Sequence, residues 1–134
     1  MSTSTPNRIV APAAIAPPAG AYSHGIVAAG PGQWLHIAGQ IGVMPDGALA
    51  SGFEAQARQA WANLVAVLHE AGFDASHLVK VNTFLVDPAH LPLLAPVRQH
   101  FLGEARPAST VLVVQSLVKP EWLFEVEAAA FRAA

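Results

Sequence analysis

One long amphipathic stretch, Phe53 to Ala71, constrains this chain more than any other feature of its 134 residues. Ala57, Trp61, Leu64, Leu68 and Ala71 recur at spacings of three and four, while Glu54, Arg58, Gln59 and Glu70 take other faces; this predicts a helix with one apolar stripe. Gly72 closes it. Such a stripe has to be laid on a second layer, and the flanking sequence is rich in short β-type runs that can supply one.

Those runs lie on both sides of the helix. Gly25 to Ala29 and Trp34 to Gln40, separated by Gly30, Pro31 and Gly32, read as a β-hairpin with a short loop, and Pro45-Asp46-Gly47 reads as a further turn. Leu78 to Val86 (LVKVNTFLV) reads as a strand ending at Asp87-Pro88. Leu91 to Leu102, stopped by Gly103, has helical spacing through Leu94, Val97 and Phe101. Pro92 suits a first helical turn and Pro96 does not, so that helix starts late or is kinked. Thr110 to Val114 and Leu123 to Phe131 read as the last strands, joined by a loop containing Lys119-Pro120. The order implies an α+β domain with an antiparallel-rich sheet and both helices on one face. Residues 1–8 read as a disordered tail, Pro12 to Pro18 as an extended lead-in, and 9–134 as a single domain.

Composition excludes several function classes. Lys and Arg number 7 and Asp and Glu 9, and the basic residues are scattered, so no focused positive field exists for a phosphate backbone and nucleic acid is not an expected partner. There is no cysteine, and the six histidines do not pair in HxH, HxxxH or HExxH spacing, so neither a thiolate nor a metal site is expected. No apolar run reaches membrane-spanning length and the Ala/Pro-rich start lacks the layout of a signal peptide, which makes the cytoplasm the expected location. Hydrophobic residues make up 53% of the chain and charged ones 12%, against about 25% charged in an average domain. Subunits are therefore expected to bury surface on one another.

Six segments occur in an order that resembles the Rid family, the reactive intermediate deaminases, also called YjgF-type and formerly endoribonuclease L-PSP. They are GAYSHG (20–25), IAGQIG (37–42), EAQARQAWANLVAVLHEAG (54–72), VKVNTFLVD (79–87), RPAST (106–110) and FEVEAAAFR (124–132). The likeness runs from about residue 10 to the C-terminus. It implies a chorismate-mutase-like α+β fold and a homotrimer whose sheets face inward, with pockets at the subunit interfaces. The implied chemistry is hydrolysis of reactive enamines and imines, such as 2-aminoacrylate, to a 2-keto acid and ammonia, with no cofactor.

Carried over residue by residue, the resemblance makes Tyr22 a pocket tyrosine, Gly39 a glycine that lets backbone approach the ligand, and Glu125 the glutamate that places the attacking water. On alternation alone Glu125 and Glu127 share one strand face, and a solvent face is the plain alternative. Tyr22 is equally readable as a half-buried aromatic at a strand start, and Gly39 as a packing glycine.

Two departures stand out. Imine-hydrolysing members read Pro-Ala-Arg where this chain reads Pro107-Ala108-Ser109, so the carboxylate-binding arginine is replaced by Ser109, here a passive hydroxyl donor. The serine usual before Gly-Gln is Ala38. Arg106, three residues before Ser109, points to the opposite face in a regular strand unless a loop or bulge redirects it. His24 stands where many relatives carry Gln, near the expected pocket mouth, and is a candidate functional residue there, with a merely structural role as the plain alternative. Asn82 and Thr83 read as strand surface, Trp34 and Trp61 as packing residues.

Three functions follow. The first is hydrolysis or tautomerisation of an enamine, imine or related metabolite that does not depend on a free α-carboxylate; losing a charged hydrogen bond to that group costs about 1.5–3 kcal/mol, so ordinary 2-imino acids become poor substrates. The second is a non-catalytic trimer that binds a metabolite or protects other proteins. Ribonuclease or translation inhibition, suggested by the older family name, is the third, and neither the charge pattern nor an acid/base pair supports it.

Overall fold

The computed structural model describes residues 7–134. The elements are β1 (Arg8–Val10), β2 (Gly25–Val27), β3 (Gly32–Gln40), α1 (Phe53–Glu70), β4 (Leu78–Leu85), α2 (Leu94–Leu102), β5 (Ala108–Val113) and β6 (Phe124–Ala133). Four strands form the main sheet in the order β3-β6-β4-β5, antiparallel at the first two pairings and parallel at the third. The fold is thus α+β with two helices and a mixed sheet.

The apolar stripe of α1 folds as its spacing predicts. Ala57, Ala60, Trp61, Leu64 and Leu68 are all but inaccessible, whereas Ala71, beyond the last turn, is exposed. They meet Phe124, Val126 and Ala130 of β6 and Val81 and Leu85 of β4 in one apolar cluster, to which α2 adds Val97 and Leu102. Each large side chain buried this way contributes about 1.5–3 kcal/mol. Gly72, at φ 81°, takes the left-handed conformation that ends α1. In α2 the late start holds: a 3-10 stretch, Pro88–Leu93, comes first, and Pro96 falls in the opening turn, where its missing N–H has no helical partner to lose.

Three expectations need correction. The hairpin between residues 25 and 40 does not form: β2 pairs with β1, and β3 pairs instead with the last strand, β6. Nine residues of β3 gain a long partner in β6, more than the three-residue β2 offers. Arg8, expected in the tail, belongs to β1 opposite Val27, and Asn7 donates to the carbonyls of His77 and Phe131; the rest of the expected tail, residues 1–6, lies outside the described residues. Trp61 is buried, but Trp34 is 52% exposed, stacked on His36 and tilted against Phe131 on the face away from the helices.

That second face is left open. Alternation puts Lys80, Asn82 and Phe84 of β4, Thr110 and Leu112 of β5, and Glu125 and Glu127 of β6 on it. Beyond Ser23, which bridges to Ala108, the outer edge of β5 has no partner among the described residues, and Val111, Leu112 and Val113 are exposed along it. Among the described residues no helix is long and apolar enough to cross a membrane.

Candidate functional site

Helix α1 sets the geometry of the open face from behind. Gln56, 3% exposed in the middle of the apolar stripe, donates to the Glu121 carbonyl at 3.2 Å and accepts from the Leu123 N–H at 2.9 Å. It fixes the chain just before β6 and hence the start of the strand that carries Glu125. Asn63 does the same for the chain after β3, donating to the carbonyls of Ile41 and Val43 at 3.2 and 2.9 Å. Between them Gly42 lies flat on the helix; a Cβ there would stand 2.5 Å from the Gln56 Cα, closer than any side chain allows.

With both chains pinned, β3 has one residue too many. Ile37 pairs with Ala128 and Gln40 with Val126, so three steps on β3 face two on β6 and Ala38-Gly39 form a bulge. Bulges of this kind re-aim side chains beside functional sites. Here the bulge receives the Glu125 carboxylate. A Cβ on Gly39 would lie 2.5 Å from Glu125 Oε2 and 2.7 Å from its Cδ, so glycine leaves the room that the carboxylate occupies. Ala38 is exposed next to it, and its carbonyl accepts from the Gln40 side chain at 3.1 Å.

Glu125 opens on its other side into a shallow cleft of about 400 Å³ with Phe84, Val114, Ser116, Leu117 and Val118. Partial burial, with the like charge of Glu127 on the same face, holds its carboxyl above the usual glutamate range. A carboxyl raised toward neutrality beside an apolar wall is suited to take and return a proton or to hold a water.

Tyr22, His24, Arg106 and Ser109 gather elsewhere, at the β5 edge. Ser23 donates its N–H to the Pro107 carbonyl at 3.1 Å and its hydroxyl to the Arg106 carbonyl at 2.5 Å, which draws the Tyr22 segment alongside the start of β5. His24 is exposed, and its Nε2 lies 2.7 Å from the Ala16 carbonyl, tied to the lead-in. Ser109 pairs with the buried Val81, so its side chain turns to the helix side of the sheet; its Oγ is enclosed and has no partner among the described residues. One strand, β4, separates it from Glu125, about 10 Å across the sheet, with about 10 Å more along it. Within one chain, Gly39 and Glu125 thus form one group and Tyr22, Ser109 and Arg106 a second on the opposite side of the sheet.

Sequence reasoning passed over two residues that matter here. Gln56 could have been found as the one amide inside the stripe of α1, since a buried side chain of that type has to be hydrogen-bonded. Arg98 gave no sign, being one scattered cation among seven. It stands on α2 facing Gly20: a Cβ there would be 3.8 Å from the Tyr22 ring and 3.9 Å from Arg98 Nη2. Burial first, and then the charge of Arg106, press the Arg98 guanidinium below its ordinary range, with Tyr22 opposing.

Comparison with known proteins fits this geometry. The family model described as endoribonuclease L-PSP matches residues 12–132. A RutC family protein of Pyrococcus horikoshii is 35% identical over 117 residues, 86% of this chain and 90% of that one. A 2-iminobutanoate/2-iminopropanoate deaminase of Dermatophagoides farinae is 29% identical over 117 residues, 86% of this chain and 89% of the other. Among solved structures, a Rid family protein of unknown function from Yersinia pestis superposes with a TM-score of 0.84 at 33% identity, covering 94% of this chain and 98% of that one.

Proposed function

This chain belongs to the Rid family, also described as endoribonuclease L-PSP, and from that premise we propose that it binds a small metabolite and hydrolyses or tautomerises an enamine or imine without a cofactor. In this reading Glu125 holds the attacking water and returns its proton, and Tyr22 of a neighbouring copy walls the ligand. One observation carries it: a glutamate with a raised pKa set into a bulge that glycine keeps open, beside an apolar cleft. The separation of Tyr22 from Glu125 within one chain supports a homotrimer in which the open sheet faces meet and the pocket is completed between copies. Exposed Trp34 and Leu112, with the edge of β5 that has no strand partner among the described residues, supply the surface for that contact.

Because position 109 is a serine turned to the helix side, the substrate is not held by a cation at that point. Imines made in place by an amino-acid oxidase and by an amine oxidase test this, with ammonia release as the readout. We expect 2-iminopropionate to decay near its uncatalysed rate and an amine-derived imine to be accelerated. Glu125→Gln should lower that acceleration about 10²–10⁴-fold. Gly39→Ala should lower it as well with little loss of stability, since the added Cβ displaces the carboxylate. Brisk hydrolysis of 2-iminopropionate together with inert amine-derived imines would overturn the substrate reading.

The non-catalytic alternative, a metabolite-binding or protein-protective trimer, predicts stabilisation by a ligand with no product formed. It draws on the Ser109 hydroxyl, which has no hydrogen-bond partner among the described residues. Ribonuclease activity is not extended to this chain, because its basic residues are scattered and offer a phosphodiester backbone no focused positive field.

A further inference from the structure

The far side of the sheet edge holds a second cleft, of about 350 Å³, between the Gly20-Ala21 backbone and the face of α2 that carries Pro96, Arg98 and Leu102, with Arg106 at its end. Two guanidinium groups share it. Arg106 is fixed in place, its Nη1 donating to the carbonyls of Gly103 at 2.8 Å and Ala105 at 2.9 Å, while its other N–H groups have no acceptor among the described residues. Arg98 has neither a hydrogen-bond acceptor nor a carboxylate among the described residues, although it is half-buried. Glu104, the nearest acid in sequence, is exposed and lines a neighbouring cleft that Arg106 also borders, but it forms an ion pair with neither arginine. Two like charges sharing one partly covered cleft disfavour each other unless an anion lies between them.

We propose that this cleft binds a small oxyanion, a carboxylate or phosphate group, held by Arg98 and Arg106 beside the Tyr22 ring. The planar fork of arginine matches both groups in a two-bond grip, and the volume suits a small metabolite rather than a polymer. The inference goes beyond the proposed function, which assigns no anion site and places its chemistry at Glu125. It makes Arg98, on a helix, the residue that selects an anionic ligand in a chain whose position 109 is uncharged.

The experiment is thermal unfolding of the full chain titrated with inorganic phosphate and, separately, with acetate, each against chloride at equal ionic strength. A saturable rise in Tm beyond the chloride control is expected, and the anion effective at lower concentration tells phosphate from carboxylate. Arg98→Gln should weaken the apparent affinity at least about tenfold. Gly20→Asp tethers a carboxylate beside Arg98 Nη2; it should raise Tm in chloride alone and erase the response to added anion. Equal responses to all three salts, an Arg98→Gln protein that responds like the parent, or a Gly20→Asp protein that keeps the full response would each overturn the proposal. Glu125→Gln separates the two readings: loss of turnover with the anion response intact leaves this site standing, and an absent anion response with Glu125-dependent turnover sinks this site alone.

Discussion

The two faces of β6 differ by one residue in phase and by nearly everything in consequence. Phe124, Val126, Ala128 and Ala130 look toward the helices and are 0–8% exposed, each satisfied by contact with α1 or its neighbours. Glu125, Glu127 and Ala129 look the other way and are only partly covered. On the first face, burial adds stability. On the second, the fold spends it, pushing Glu125 away from its preferred ionised state, opening a bulge in β3 and leaving large apolar side chains on the surface. A small protein that tolerates such a face has a use for it, and here the use proposed is assembly and chemistry.

The contrast can be broken from either side. Truncating the stripe at Trp61→Ala should cost about 3–5 kcal/mol in denaturant unfolding, as for other fully buried aromatics. Gln56→Ala, which leaves the Leu123 N–H without its acceptor, should cost about 1–3 kcal/mol and blur the placement of Glu125. If Gln56→Ala proves neutral, the claim that α1 positions the open face from behind is wrong. Leu112→Glu, in the same row as Phe84 and Glu125 on the open face, should lower the solution mass while the far-ultraviolet circular dichroism of the chain stays unchanged.

The smallest effect is on pH. The folded state raises the Glu125 pKa, so the native chain binds that proton more tightly than the unfolded one. Stability is therefore lost as pH rises from about 4.3, the ordinary glutamate value, through the raised one, and the full penalty applies above it. Glu125→Gln should remove this slope and leave the protein more stable near neutrality by about 0.5 kcal/mol or less. A steeper slope in the variant would contradict the assignment.

Local signals made much of this legible in advance. The stripe from Ala57 to Leu68, the stop at Gly72 and the turn at Asp46-Gly47 each follow from neighbouring residues, and the structure has them. Strand pairing is a long-range matter: nothing near Trp34 says that its strand crosses to Phe131 rather than folding back on Gly25. The site was legible to the same degree. Gly39 and Glu125, singled out separately by the resemblance, lie against each other, and the bulge that joins them is a register effect visible only once β3 and β6 are side by side. Arg98 was hidden for the same reason, since its meaning comes from Gly20 and Arg106, which fold next to it from other parts of the chain.

The central claim is that the open face is made to be covered by other copies, and the solution mass of the full chain tests it most directly. Light scattering over a range of micromolar concentrations should return three times the 14.0 kDa of the chain, without dissociation on dilution. A stable particle of one chain mass, with Leu112 and Trp34 left in water, would contradict the account.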